Sequence, residues 1–269
     1  YAHQLKLAKY NLDPEALRPY FELNNVIKGV FGLATRLYGI TFKENKDIPV
    51  YHSDVKPYEV YDKDGSYLAV LYVDFFPRKG KRAGAWMTEF QGQRITKEGE
   101  NIRPHASLVM NFSKPTDDKP ALLRLGEVTT FLHEFGHSLH GMLSACRHGS
   151  LSGTNVVRDF VELPSQLMEN WLDEREWLQS FAYHYQTGEA LPEVLIERME
   201  RARHFLAGYA ACRQLSFGYL DMAWHGLSAP VDDKLDIKAF EEAAWSKALI
   251  LPPSPPNAVM STAFGHIFS

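Results

Sequence analysis

The sequence has few cysteines, no strong charge imbalance and no long apolar run, and each absence excludes a class of protein. Only two of its 269 residues are cysteines, Cys146 and Cys212, which are too few for a disulfide framework and favour a reducing compartment. The formal net charge of −4 gives no support for a nucleic-acid or membrane-surface partner. No apolar run approaches the roughly 20 residues that a bilayer-spanning helix needs. We therefore expect a cytoplasmic monomer with no nucleic-acid or membrane partner.

The chain also lacks an initiating methionine and a signal peptide, so we expect it to begin within a longer protein or after trimming. Apolar residues make up 45% and charged residues 23%, as in an ordinary globular chain that can bury a core. The length fits one large domain or two small ones.

Helical periodicity dominates the sequence, and strand-like segments are confined to one region. Four short segments rich in aromatic and β-branched residues predict a small sheet; they are 59–61, 67–76, 83–90 and 105–112. Helical patterns lie on both sides of this sheet, at 23–37, 122–143, 160–175, 176–187, 193–226 and 236–248. The Pro-rich tail at 251–256 cannot be helical. We expect an α+β fold, predominantly α-helical, with the sheet preceding the helix at 122–143.

The segment Phe131–His137 reads FLHEFGH and contains the pattern H-E-x-x-H, a signature of zinc peptidases. On an α-helix, residues four apart lie on the same face, about 6 Å apart along the axis. His133 and His137 can therefore bind one metal ion. Glu134 is turned by about 100° from His133, so it can lie beside the metal without binding it.

The surroundings of the motif favour a helix with one buried side, although the bare pattern also occurs on exposed helices that bind no metal. Apolar residues recur at three- and four-residue steps and predict one apolar stripe, formed by Val128, Phe131, Leu132, Phe135, Leu139 and Met142. The two histidines lie on a different face. Gly136 costs about 1 kcal/mol relative to alanine in a helix, so we expect a local reason for it, such as the close approach of another backbone.

A catalytic zinc ion usually has three protein ligands and one water, so the two histidines leave one ligand to be found. Leu143 occupies the position at which one class of zinc peptidases has its third histidine, and that class is excluded. His140 lies about 10 Å from His133 along the helix axis, too far for all three histidines to reach one ion. We interpret His140 as a packed histidine or as one that lies behind the ligands.

The remaining candidate is Glu162, from a following helix. Its neighbours within 160–163 are apolar, and a buried carboxylate needs a partner such as a metal. The alternative is a salt-bridged surface glutamate. Asp159 and Glu169 lie on roughly the same helical face and are candidate acceptors for the ring N–H of a metal-binding histidine, although ordinary surface positions are the simpler interpretation for both.

At these residues the chain resembles the thimet oligopeptidase family of zinc metallopeptidases, and within it the bacterial peptidyl-dipeptidases. The segments that carry the resemblance are Phe131–His137, Leu151–Asn155 (LSGTN), Arg158–Gln166 (RDFVELPSQ), Met168–Trp171, Asp74–Phe76, Gly84–Met87 (GAWM) and Phe264–His266. The resemblance extends over nearly the whole chain. It implies a zincin-like catalytic region in which His133, His137 and Glu162 bind one zinc ion.

The same resemblance implies that Glu134 is the general base and that His266 lies near the substrate. It also implies that residues 1–269 are part of one catalytic domain. The family's helical N-terminal region and its C-terminal substrate loop, which carries several tyrosines, are absent from this sequence. We therefore expect a fragment of the catalytic region.

The function implied by the resemblance is hydrolysis of short peptides, with release of dipeptides from a free C-terminus. We expect the peptide to pair with the edge of a strand near the metal helix, and we assign this role to the segment 106–111. One alternative is an endo-acting oligopeptidase of the same family. Another, of a different class, is a non-catalytic zinc-bearing module that binds peptides, although structural zinc sites are usually rich in cysteine.

Overall fold

A computed structural model describes residues 1–250, 255 and 257–268. The chain divides into two compact units, Tyr1–Arg201 and Ala202–Ser269. The first unit contains the H-E-x-x-H motif and all the described strands, and the second unit is helical in its described part. Of the predicted Pro-rich tail at 251–256, all but residue 255 lies outside the described residues.

The described strands are β1 (Thr41–Glu44), β2 (Lys56–Tyr61), β3 (Tyr67–Asp74), β4 (Trp86–Gln91), β5 (Arg94–Ile95), β6 (Asn101–Ile102) and β7 (His105–Val109). The described helices are α1 (Ala2–Tyr10), α2 (Leu23–Tyr38), α3 (Leu125–Met142), α4 (Leu163–Glu169), α5 (Arg175–Phe181), α6 (Glu193–Ala202), α7 (Ala207–His225), α8 (Ile237–Trp245) and α9 (Met260–Ala263). Short 3-10 helices occur at Pro14–Ala16, Arg18–Tyr20, Gly149–Leu151, Asn170–Asp173 and Gly265–Ile267. The predicted α+β fold with a small sheet is confirmed. None of the described helices has the length and apolar character needed to cross a bilayer.

The main sheet has five strands in the order β1-β2-β3-β7-β4. β3 and β7 are parallel, and the other neighbouring pairs are antiparallel. β1 and β4 therefore form its two edges. The assignment of the segment 106–111 as a free edge is wrong, because β7 lies between β3 and β4 and both of its sides are paired. Proximity in sequence to the metal helix suggested that assignment, but the chain order of strands does not determine their order in a sheet.

The helix α3 packs its apolar stripe against one face of this sheet and against α2. Phe131 and Phe135 are fully buried. Phe131 meets Phe75 edge-to-face with ring centroids 5.3 Å apart, and Phe135 meets Phe31 at 5.7 Å. Truncating such a phenylalanine to alanine typically destabilises a core by about 3–5 kcal/mol. The predicted stripe is confirmed, and it holds the opposite, histidine-bearing face of α3 in a defined orientation.

The helices that follow α3 are shorter than the periodicity predicts. The predicted helix at 160–175 is α4 followed by a 3-10 turn, and the predicted helix at 176–187 ends at Phe181. The predicted long helix at 193–226 is two helices, because Leu206 has the left-handed backbone torsion φ = 57°. A leucine in this conformation carries no sequence signal, since left-handed positions usually hold glycine or asparagine.

A buried charge cluster organises the chain immediately after β3. Asp74 is 1% exposed, and the two terminal nitrogens of Arg78 donate to its two carboxylate oxygens at 2.8 and 2.9 Å. Lys81 Nζ donates to the same carboxylate at 2.9 Å, and the Tyr51 hydroxyl donates to it at 3.1 Å. Burial alone raises the pKa of Asp74, but the hydrogen bonds from Arg78 and Lys81 outweigh it and leave the pKa below its usual value.

Asp74→Asn is expected to lower the free energy of unfolding by about 3–5 kcal/mol at neutral pH, because removing one partner leaves buried cations uncompensated. A lowered folded-state pKa means that Asp74 stabilises the fold above its unfolded pKa of about 3.9 and that this contribution is lost as pH falls through the folded value. The difference between variant and wild type should therefore shrink in acid. Urea unfolding at several pH values measures it, with the exposed Asp47→Asn as control. A difference that is independent of pH would contradict the argument.

Candidate metal centre

Three side chains of the first unit converge on one point. His133 Nε2 and His137 Nε2 each lie 3.2 Å from Glu162 Oε2. The two imidazole rings are nearly perpendicular, with centroids 5.0 Å apart. The candidate ligand atoms of these three side chains all lie within 4.8 Å of one another. The structure thus brings together the three residues that the sequence nominated.

The geometry of this cluster fits a zinc ion. Zinc binds histidine nitrogens and carboxylate oxygens at about 2.0–2.2 Å in a tetrahedral arrangement, which separates neighbouring ligand atoms by about 3.3 Å. The observed nitrogen–oxygen separations of 3.2 Å match that value. Two neutral imidazoles and one carboxylate are also a usual donor set for catalytic zinc, which leaves a fourth position for water.

The third donor reaches the histidines because α4 approaches α3 closely at Gly136. A Cβ atom at this position would lie 2.5 Å from the Pro164 carbonyl oxygen and 2.6 Å from the Ser165 Cα. Only glycine leaves room for the backbone of α4 here. The expectation of a close backbone approach at Gly136 is therefore confirmed, and Glu162 immediately precedes the segment that makes this approach.

Glu162 itself is more exposed than the sequence argument assumed. Its side chain is 50% exposed, and Phe160 and Leu163 are exposed as well. The apolar neighbours therefore do not bury the carboxylate, and that reason for choosing Glu162 was wrong. Its orientation comes instead from Ser165, whose hydroxyl donates to Glu162 Oε2 at 2.8 Å. Ser165 could not be predicted from the sequence, because the order Glu-x-x-Ser is the reverse of the usual capping box, in which serine precedes glutamate by three residues.

Glu169 lies behind His133, as the sequence allowed. Its Oε1 atom is 2.6 Å from His133 Nδ1, so the protonated Nδ1 can donate and leave Nε2 free to face the cluster. Asp159 does not have this position: it is exposed, and neither histidine is among its described hydrogen-bond or ion-pair partners. The predicted spacing between Asp159 and Glu162 assumed a continuous helix, whereas α4 begins only at Leu163.

Glu134 lies next to the cluster in a different environment. It is 7% exposed. The pKa of its carboxyl group is raised, mainly because burial disfavours the charged form. Glu162 also raises this pKa, whereas His133 and a hydrogen bond from the Met87 backbone lower it. The contact with Met87 places the edge strand β4 beside Glu134. A carboxylate that adjoins both a metal cluster and a free strand edge is well positioned to exchange a proton with a group bound there.

The other histidines of interest have different surroundings. His140 packs its ring against Phe160 with centroids 6.1 Å apart, and burial lowers its pKa, which agrees with a packed histidine. His137 Nδ1 is buried and has no hydrogen-bond partner among the described residues. His266 belongs to the second unit, where it is exposed and its ring lies 5.2 Å from that of Phe264. Its contact with substrate stays a prediction.

Gly136→Ala is expected to lower the affinity for zinc by at least about tenfold, because the added Cβ forces α4 and with it Glu162 away from the histidines. Loss of supporting contacts around a metal ligand commonly costs about 10–100-fold in affinity. Gly126→Ala in the same helix is the matched control, since a Cβ there meets nothing within 4 Å. Zinc affinity is measured by competition with a chromogenic chelator. Equal affinities for the two variants would show that the approach at Gly136 does not position the third ligand.

Comparison with known proteins agrees with this geometry. A model of peptidase family M3 matches residues 1–269. The chain is 44% identical over 269 residues to dipeptidyl carboxypeptidase of Salmonella typhimurium, 41% identical over 271 residues to oligopeptidase A of Escherichia coli, and 40% identical over 275 residues to the probable cytosolic oligopeptidase A of Arabidopsis thaliana. Each match covers 100% of this chain and 39% of the relative's length. The match of the family model over residues 1–269 shows that this chain belongs to peptidase family M3.

Proposed function

We propose that the protein is a zinc metallopeptidase that hydrolyses short peptides. The observation that carries this proposal is the convergence of His133, His137 and Glu162 on one point, with Glu134 next to them. The two histidines and Glu162 would hold one zinc ion per chain. The names of the relatives, which are peptidases, support the same activity.

When bound, the zinc would supply a Lewis acid that activates water and polarises the scissile carbonyl. Glu134 accepts a proton from the attacking water at its carboxylate and delivers it to the nitrogen of the leaving amine. Glu169 holds His133 in the orientation that directs Nε2 to the metal. Ser165 does the same for the Glu162 carboxylate.

The backbone of the peptide would pair with β4. This strand is an edge of the sheet, and its Met87 backbone contacts Glu134. An extended peptide that adds a strand here gains main-chain hydrogen bonds and is brought alongside the metal cluster. This assignment replaces the one made to the segment 106–111.

The reaction would release dipeptides from a free C-terminus, as the name of the Salmonella relative indicates for that protein. The name oligopeptidase A supports the alternative of endo-acting cleavage. We further propose that residues 1–269 are part of one zincin-like catalytic domain, to which His266 contributes a substrate contact. The protein would act as a cytoplasmic monomer.

Glu134→Gln is expected to lower kcat for peptide hydrolysis by about 10²–10⁴-fold, the usual contribution of a general base. Zinc content should stay the same, because Glu134 is not a ligand. The full-length protein is assayed with a fluorogenic peptide and its zinc is measured by atomic absorption. Glu98→Gln, at an exposed loop position, is the control. Activity within about tenfold of wild type would exclude Glu134 as the base.

Blocking the C-terminus of a substrate peptide separates the two modes of cleavage. A dipeptide-releasing enzyme recognises the terminal carboxylate, so an amidated peptide should be cleaved at least about tenfold more slowly than the free acid, since a hydrogen bond to a charged group contributes about 1.5–3 kcal/mol. Mass spectrometry of the products identifies the bond that is cut. Equal rates, with cuts at internal bonds, would favour the endo-acting alternative.

A further inference from the structure

One acidic side chain on the edge strand β4 has no use in the chemistry described above. Glu89 Oε1 is buried and has no hydrogen-bond partner in the part of the chain that the structure describes, and the residue as a whole is partly exposed. Burial raises the pKa of Glu89. A carboxylate oxygen that is removed from water without a partner is costly, so its retention needs an explanation.

The backbone around Glu89 leaves space for its carboxylate. A Cβ atom at Gly141 would overlap Glu89 Oε1, and one at Gly153 would lie 3.2 Å from it. Gly153 also has a left-handed backbone, with φ = 56°. Gly141 follows His137 by one helical turn, about 6 Å along the axis. The Glu89 carboxylate therefore lies on the same side of α3 as the metal cluster, one turn further along the helix.

The pleat of β4 relates Glu89 to the site of peptide binding. Met87 and Glu89 are two residues apart and precede the irregularity between Glu89 and Gln91. Their side chains lie on the face of the sheet that carries α3. The N–H and C=O groups of both residues point to the same side of the strand. The Met87 backbone donates a hydrogen bond to Glu134, which indicates that it points to the free edge of β4. The backbone of Glu89, two residues further on, points the same way. A peptide residue paired opposite Glu89 would have its side chain on the same face as the Glu89 carboxylate.

We propose that Glu89 determines specificity by binding the ammonium or guanidinium group of a lysine or arginine in the substrate, on the N-terminal side of the cleaved bond. This inference rests on the proposed peptidase function and names its substrate class. A cation bound at the exposed part of this side chain would compensate the negative charge of a carboxylate whose Oε1 has no hydrogen-bond partner among the described residues.

The charge of Glu89 decides on which side of the cleaved bond its partner lies. If the peptide ran parallel to β4, the residue opposite Glu89 would follow the one opposite Met87 by two positions. In a substrate that releases a dipeptide, this region carries the free C-terminal carboxylate, which Glu89 would repel. An antiparallel peptide places a residue from the N-terminal side opposite Glu89 and avoids the repulsion.

The test compares peptides that differ at one position. A series of N-acetylated substrates carries lysine, norleucine or glutamate at each of the three positions before the cleaved bond, and acetylation removes the α-amino group as an alternative cation. At one position, wild type should cleave the lysine peptide with a kcat/KM at least about tenfold above that of the norleucine peptide, as expected for a charge-assisted hydrogen bond. Glu89→Gln should abolish this ratio, and Glu89→Lys should favour the glutamate peptide. Glu98→Gln should preserve the wild-type ratio.

Two outcomes would overturn the proposal. In the first, the ratio of lysine to norleucine is the same in wild type and in Glu89→Gln at all three positions. In the second, Glu89→Gln raises the thermal midpoint without changing any ratio, which identifies Glu89 as a neutral buried acid. If wild type cleaves no peptide, the proposed peptidase function fails independently. The affinity of Glu134→Gln for the same peptides, with and without Glu89→Gln, then decides the role of Glu89 by binding alone.

Discussion

The candidate metal centre depends on the close approach of α4 to α3 at Gly136. A side chain at this position would collide with the backbone of Pro164 and Ser165. Since Glu162 directly precedes these residues in the chain, the same approach brings its carboxylate to both histidines. The cost of a glycine inside a helix, about 1 kcal/mol, is thus offset by the contacts that assemble the three-ligand cluster.

A second constraint is the position of β4 at the edge of the sheet. The core places α3 under the sheet with its histidines outward, and β4 then borders the cluster with one side unpaired. One short strand therefore contributes the Met87 backbone beside Glu134 and the Glu89 carboxylate one turn further along α3. The buried cluster around Asp74 fixes the chain between β3 and β4, because Lys81 also donates to the carbonyl of Phe76. The stability of the turn between β3 and β4 and the accessibility of the β4 edge therefore both depend on this one segment of the chain.

Membership of peptidase family M3 and the geometry of the cluster support each other from independent directions. The family match rests on the sequence as a whole, whereas the ligand separations of 3.2 Å follow from the packing of two helices. The chain spans 39% of the length of the relatives it matches, so the activity of the whole protein is a proposal here. What the chain contains by itself is the complete set of three candidate ligands and the candidate base.

The features that depend on local periodicity could be predicted from the amino-acid sequence. The four-residue spacing puts His133 and His137 on one helical face, the apolar stripe defines the buried side of α3, and Gly136 indicates a close contact. The sequence also limited the third ligand to very few residues. The fold class followed from the same patterns, because helix and strand periods differ.

The features that depend on contacts between distant segments could be identified only in the folded chain. The order of strands made β4 an edge and β7 an interior strand, and the approach of α4 determined that Glu162 and Glu169, but not Asp159, reach the histidines. Leu206 ended a helix without any local signal. These outcomes follow from packing and from backbone conformations that single residue types do not encode, because each is selected by the fit of the whole first or second unit.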